Sequence, residues 1–353
     1  MDFEFSDDQE LLRDSVRRYL TDRAPLTFAR DRYEDAAAVD DVWRGLARLG
    51  LTGMLAPATA GGAGMGMVDL ALPLGEMGRV VYPGPFAASA VGAVSFLAAI
   101  APDVLADEWL PRLADGSGVA TLATTDARGA PVRAEGTGWC GTKTHVPDGV
   151  AAELVLVAVD PDTVVAVNAA DDAVCVEPLP TVDGSRKFAT VTLDRAAGTT
   201  ITGAGDALAA ADDRLALAYV LDGVGAAEVA LELAVEYAKE REQFGKPIGS
   251  FQAVQHLCAD MLRAVELGRA AAYYAAWACD EADATERHRA VTVARAFAAD
   301  GFYRVGASAI QVFGGVGFTW EHDIHLFYKR LLTLQHLGGS TSDHLEELAS
   351  LVL

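Results

Sequence analysis

The chain has 353 residues, 51% of them apolar and 22% charged, which excludes a disordered polypeptide and allows two or three structural units around a large core. A net charge of -22 excludes nucleic acid and anionic membranes as electrostatic partners, because both require basic patches. The four cysteines, Cys140, Cys175, Cys258 and Cys279, have no zinc-like spacing, and the last two read as core packing in helices.

The acidic start, Met1-Asp-Phe-Glu-Phe-Ser-Asp-Asp, lacks the shape of a signal peptide, and the longest apolar run, near 91–101, is too short to span a bilayer. The expectation is a soluble, cytoplasmic protein. Residues 1–118 read as helices. Ser6 followed by Asp7, Asp8, Gln9 and Glu10 is N-cap and first-turn chemistry, and Leu11, Leu12, Val16, Tyr19 and Leu20 recur at helical spacing. Val42, Leu46 and Leu49 form a second apolar face, closed by Gly50. Residues 59–67 are glycine-rich but lack the Gly-Lys-Ser/Thr ending of a phosphate loop, and are expected to be a flexible connection. Helices follow over 68–78 and 87–100.

Residues 119–205 change character. Short β-branched runs at 119–125, 154–159, 163–167 and 189–193, separated by Asp, Gly and Pro, predict a small antiparallel β unit, with Cys175 on one strand. Residues 206–353 return to long helical patterns over 212–241, 251–279, 286–314 and from 324, the signature of a four-helix bundle.

Two stretches carry candidate chemistry. Arg241-Glu-Gln-Phe-Gly-Lys-Pro-Ile-Gly-Ser-Phe-Gln252 breaks one helix and starts another, with Ser250 as the expected N-cap. An arginine fork beside a helix N-terminus suits a pyrophosphate, although a surface charge on an interhelical loop fits the residues equally well. Gln311-Val-Phe-Gly314-Gly315-Val-Gly-Phe318 ends the third bundle helix. Its paired glycines suit a C-cap and also allow a ligand to approach bare backbone.

Together, Arg-x-x-Phe-Gly-x-x-Ile-x-x-Phe-Gln and the later Gln-x-x-Gly-Gly-x-Gly-Phe resemble the acyl-CoA dehydrogenase family over the whole chain. The resemblance implies a mainly α fold with inserted β: an N-terminal helical domain (1–118), a middle antiparallel β domain (119–205) and a C-terminal four-helix bundle (206–353). It implies FAD as cofactor, with Arg241, Gln243, Phe244, Phe251, Gln252, Gln311, Gly314 and Gly315 reaching across a subunit interface to the adenosine-pyrophosphate half of the flavin. The reaction implied is α,β-dehydrogenation of an acyl-CoA, with an electron-transfer flavoprotein as acceptor. The segment 317–326 resembles the actinobacterial branch that degrades steroid side chains, in which Trp320, His322 and His325 read as packing and capping residues.

The chain departs from that family at two places. The usual catalytic glutamate is replaced by Gly338 or Gly339. A minority of members carry the base in a Glu-Arg-Leu motif, matched here by Asp213-Arg214-Leu215, where Asp213 also reads as a helix N-terminal carboxylate. Asp222 is a weaker alternative. The flavin-ring loop is altered to Thr124-Thr-Asp-Ala-Arg-Gly129, followed by a shortened segment; Lys143 persists and His145 reads as a loop residue. The implied role is the shorter subunit of an α2β2 complex that completes a flavin site in a longer paralogue. A homo-oligomeric enzyme with altered chemistry, or a scaffold without flavin, fits the same residues.

Overall fold

The computed structural model describes residues 4–34 and 41–352; Met1–Phe3 of the acidic N-terminal stretch lie outside the described residues. The chain order is helical, then β, then helical again. It divides into two compact units, one from residues 1–30, 67–82 and 216–353, the other from 31–66 and 83–215.

In the first unit, α1 (Asp7–Arg23) opens with the capping box expected at Ser6. The Ser6 hydroxyl accepts from Gln9 N, and the Gln9 side chain accepts from Ser6 N. Helix α4 (Met67–Arg79) starts where Asp280 accepts from both Met67 N and Val68 N, at 2.8 and 2.9 Å. The bundle contains α7 (Gly205–Glu240), α8 (Gln252–Glu281), α9 (Ala284–Phe313) and α10 (Ile324–His336), with a further helix, α11 (Thr341–Val352), absent from the sequence expectation. Helices α4 and α7 touch backbone to backbone. A Cβ at Gly78 would lie 1.8 Å from the Asp222 carbonyl oxygen, and one at Gly225 would lie 1.8 Å from that of Gly75. Beside this crossing, buried Arg330 donates from Nη1 to both carboxylate oxygens of Asp222 at 3.0 Å, and from Nη2 to Tyr82 O at 3.2 Å.

The second unit holds α3 (Asp41–Arg48), α5 (Val94–Ile100) and α6 (Val104–Ala114). The helix expected over 87–100 begins instead as a fully buried π-helical stretch, Phe86–Ala93. The glycine-rich segment is a loop but is not loose. Ala63, Gly64 and Met65 donate backbone bonds to Gly53, Ala56 and Met54, and a Cβ at Gly62 would lie 2.1 Å from Ala56 O.

Eight strands form two four-stranded sheets. One contains β1 (Ala120–Ala123), β4 (Leu154–Asp160), β5 (Thr163–Asn168) and β8 (Thr199–Thr202), in the order β1-β4-β5-β8. The other contains β2 (Arg133–Glu135), β3 (Gly138–Pro147), β6 (Val174–Leu179) and β7 (Phe188–Ala196), in the order β2-β3-β7-β6. The expectation of purely antiparallel pairing is corrected at β1, which pairs with β4 in parallel, Ala120 opposite Leu154. Such a pair needs a long crossover, which local sequence does not announce. The core packs Phe96, Leu97, Trp109 and Leu113 against Leu122, Leu154, Leu156 and Val164.

Candidate flavin clamp

Helix α7 stops at Glu240, with Arg241 N still donating to Tyr237 O at 2.9 Å. The chain then reverses in a minimal hairpin, β9 (Glu242–Gln243) against β10 (Lys246–Pro247), closed by Ile248 N donating to Arg241 O at 2.8 Å. Phe244 and Gly245 form its two-residue turn with φ of 54° and 77°, the doubly left-handed geometry that matches strand twist in tight hairpins. Glycine suits that geometry; phenylalanine is a costly choice for it. Phe244 is nevertheless 92% exposed, and its ring meets only the edge of Phe251, with centroids 6.1 Å apart, among the described ring contacts. Lys246 Nζ sits 4.3 Å over the Phe251 ring.

Ser250 does not cap α8. Its hydroxyl donates to Pro247 O at 2.7 Å, and the N-cap position falls to Phe251, whose side chain has no capping atom. The N-terminus of this 30-residue helix therefore lacks a side-chain cap and has no acidic residue in its first turn, while Arg241, Gln243 and Gln252 stand exposed around it. Such an end favours an anion.

The second element arrives through an aromatic stack. Phe313, at the end of α9, lies on Tyr237 with ring centroids 4.3 Å apart and planes 23° from parallel, four residues before Arg241. This juxtaposition brings together the two stretches singled out in the sequence. Gln311 is exposed in the last turn of α9, and Gly314 has φ 66° and ψ -140°, a conformation that requires glycine. Gly315 is different. Its φ is not left-handed, and a Cβ there would meet nothing within 4 Å. Packing among the described residues therefore does not require glycine at this position, and the exposed Gly314–Gly315 backbone is open to a flavin pyrophosphate.

Beyond the glycines, Trp320 is half exposed, with Arg30 and Lys329 over its ring at 5.7 and 4.8 Å. His322 caps α10 by accepting from Ile324 N at 3.1 Å. His325 packs edge-to-face on Trp320 at 4.5 Å, and both of its ring nitrogens are buried without a hydrogen-bond partner among the described residues. Burial, reinforced by the nearby Lys329 and Arg30 charges, pushes its pKa down to about 4. Both histidines thus pack and cap, as expected.

The structure does not assemble the carboxylates around the clamp. Asp213 is not at a helix N-terminus, because α7 starts at Gly205; it is a buried residue two turns inside the helix, and the capping expectation is corrected. Asp222 is engaged by Arg330. Gly338 and Gly339 have φ of 73° and 138°, and Arg295 Nη2 donates to Gly338 O at 3.2 Å. Buried His344, passed over in the sequence, lies against Gly339, and burial lowers its pKa. The altered flavin-ring loop folds onto its own sheet. Ala127 N donates to Thr142 O, Thr142 N donates to Ala130 O, and buried Lys143 pairs with Asp126 at 2.7 Å. His145, read as a loop residue, sits in β3 at a bulge with φ 52°.

Comparison with known proteins agrees with this architecture. The chain matches the family models described as acyl-CoA dehydrogenase, N-terminal domain, over residues 6–117 and acyl-CoA dehydrogenase, C-terminal domain, over residues 211–353. It is 37% identical over 341 residues to the acyl-CoA dehydrogenase FadE34 of Mycobacterium tuberculosis, covering 94% of this chain but only 46% of that relative. It is 30% identical to the acyl-CoA dehydrogenase IpdE2 of Mycolicibacterium smegmatis, covering 97% of this chain and 98% of the relative. Among solved structures, the Tcur3481-Tcur3483 steroid ACAD G363A variant superposes with a TM-score of 0.89 at 30% identity, with 98% of each chain covered. The ChsE4-ChsE5 complex of Mycobacterium tuberculosis gives 0.90 at 27% identity, with 99% of this chain and 98% of that chain covered. The fold is that of the acyl-CoA dehydrogenases, a class of flavoprotein oxidoreductases. The chain belongs to the acyl-CoA dehydrogenase family, whose members use FAD and act on the CH–CH group of acyl-CoA donors. Among the described residues, no helix is long and apolar enough to cross a membrane.

Proposed function

We propose that this chain is the clamp-bearing subunit of a heteromeric, FAD-dependent acyl-CoA dehydrogenase that desaturates a thioester of the steroid side-chain class. In this reading Arg241, Gln243, Gln252 and Gln311 hold the pyrophosphate and adenosine end of a flavin whose ring lies in a longer paralogue. Gly314 and Gly315 let the phosphates approach bare backbone, and Phe244 and Phe251 cover the flank. When bound, the flavin supplies the hydride acceptor, and an electron-transfer flavoprotein reoxidises it. The α-proton is removed by a base on the paralogue, because Gly338 and Gly339 bring no carboxylate and Asp213 is buried within α7. Relatives support the substrate class and the partner through their names, one a steroid ACAD and one a two-component complex.

The observation that carries this reading is exposed Arg241 at the uncapped N-terminus of α8, linked to the Gly314–Gly315 end of α9 through the Tyr237–Phe313 stack. The test is the visible spectrum of the chain purified alone and after co-expression with its paralogue. Flavin retained only in the pair is the expected result, and Arg241→Ala should weaken retention about 10- to 150-fold, the loss of a charge-assisted hydrogen bond. Flavin and acyl-CoA oxidation by the lone chain would assign a self-contained, homo-oligomeric enzyme working from Asp213. An intact complex without flavin would make the chain a scaffold.

A further inference from the structure

The segment between Gly317 and α10 carries a histidine whose proton is fixed by its neighbour. His322 Nδ1 accepts from Ile324 N, in the first turn of α10, at 3.1 Å. A ring nitrogen that accepts carries no proton, so the neutral ring keeps its proton on Nε2. Helix α10 depends on this bond. Its N-cap residue, Asp323, makes no side-chain capping bond and is paired instead with Arg30 of α2 (Leu26–Asp31), and the first turn has no acidic residue. The His322 ring also lies against Phe313, with centroids 4.3 Å apart and planes at 45°. Phe313 therefore packs against two rings, His322 and Tyr237 of α7, and the next residues along the chain are Gly314 and Gly315.

A second proton would undo this arrangement in two ways. Nδ1–H would face Ile324 N–H, donor against donor, and the bond would be lost. The imidazolium would also stand at the N-terminus of α10, where the helix dipole disfavours a cation. Burial holds the His322 pKa below its ordinary value, opposed by adjacent Asp323 and reinforced by Arg30. His325 and Lys329 follow on the first two turns of α10, while α9 and α7 present the Phe313 and Tyr237 rings. The bond is thus intact above about pH 6.5 and lost as pH falls through the depressed value of the fold. We propose that His322 is a positioning residue for the clamp: its neutral ring holds Phe313, and with it the Gly314–Gly315 backbone, in place for the flavin pyrophosphate, and protonation loosens that end. The flavin part of this proposal rests on the clamp reading above; the hold of His322 on Phe313 does not.

Two readouts test it. Flavin retained by the assembled enzyme after gel filtration should fall about 2- to 10-fold on acidification from neutral pH to about pH 5, the worth of one neutral hydrogen bond. Hydrogen exchange over residues 311–324 of the full chain without flavin, corrected for the intrinsic effect of pH, should show protection lost over the same interval. His322→Asn keeps an acceptor and His322→Phe keeps a ring, and neither titrates, so both should abolish the acid step in both readouts. His325→Leu should leave it in place. Circular dichroism melting confirms that each variant is folded, and either His322 variant suffices should the other fail to fold. No acid step in the wild-type chain overturns the proposal, as does a step that survives both His322 substitutions or disappears only in His325→Leu. Flavin retention that rises on acidification overturns it too, because the imidazolium charge would then outweigh the lost geometry. An assembly that never holds flavin refutes the clamp reading, and the exchange step then decides for or against His322 by itself.

Discussion

Gly314 and Gly315 are adjacent and chemically identical, yet only Gly314 has a backbone conformation that requires glycine. An alanine at Gly314 would be forced to φ 66° and ψ -140°, a region that costs an L-residue of order 1–3 kcal/mol. An alanine at Gly315 meets no atom within 4 Å and needs no left-handed backbone. Its effect on the isolated chain should stay within about 0.5 kcal/mol, as for exposed substitutions generally. If a pyrophosphate lies on that backbone, the new methyl is overpacking, worth about 1–3 kcal/mol, or about a 5- to 150-fold loss of flavin affinity. Denaturant unfolding of the isolated chain, followed by circular dichroism, measures the first quantity. Flavin absorbance retained after gel filtration of the assembled enzyme measures the second. Gly314→Ala should lower stability, while Gly315→Ala should lower flavin retention with stability intact. If Gly315→Ala destabilises the isolated chain as much as Gly314→Ala, or leaves flavin retention at the wild-type level, the ligand argument for this glycine is wrong.

Two further predictions concern the interior. Arg330→Met strands the buried Asp222 carboxylate and should cost about 3–5 kcal/mol in urea unfolding, whereas Asp222→Leu combined with Arg330→Met should recover most of it; a double variant as unstable as the single one would show that the pair is not the cause. His325 titrates near 4 in the fold against about 6.5 unfolded, so above pH 6.5 it leaves stability unaffected. As pH falls from 6.5 to 4 the unfolded chain takes up the proton first, and stability drops by roughly 3 kcal/mol in total. His325→Leu should flatten the stability profile in that window, and parallel profiles for variant and wild type would refute the assignment.

The break after α7 and the end of α9 are legible in the sequence because their signals are local. Glycine and proline mark the break after Arg241, and the glycine pair marks the end of α9. What brought them together was not legible, since the Tyr237–Phe313 stack joins residues 76 positions apart with no shared pattern. The start of α7 was misjudged for a physical reason. Residues 207–211 are alanine and leucine, good helix formers that follow Asp206 in the first turn, so the helix begins two turns before Asp213. That shift turned Asp213 from a cap into a buried residue. Strand β3 escaped notice because register shifts at Trp139/Cys140 and Lys143/Val146 break its alternation.

The crossing of α4 and α7 has a consequence for how this chain can vary. With a carbonyl oxygen 1.8 Å from where a Cβ would sit at both Gly78 and Gly225, neither position can drift to alanine unless the two helices separate. Separation would also pull on the Asp222–Arg330 pair beside it. In a library of random variants, both glycines should be depleted by a screen for folded protein alone, before any selection for catalysis. Gly315 should pass that first screen and be lost only in the second. A two-stage selection of this kind would separate the glycines that the backbone requires from those that a ligand requires.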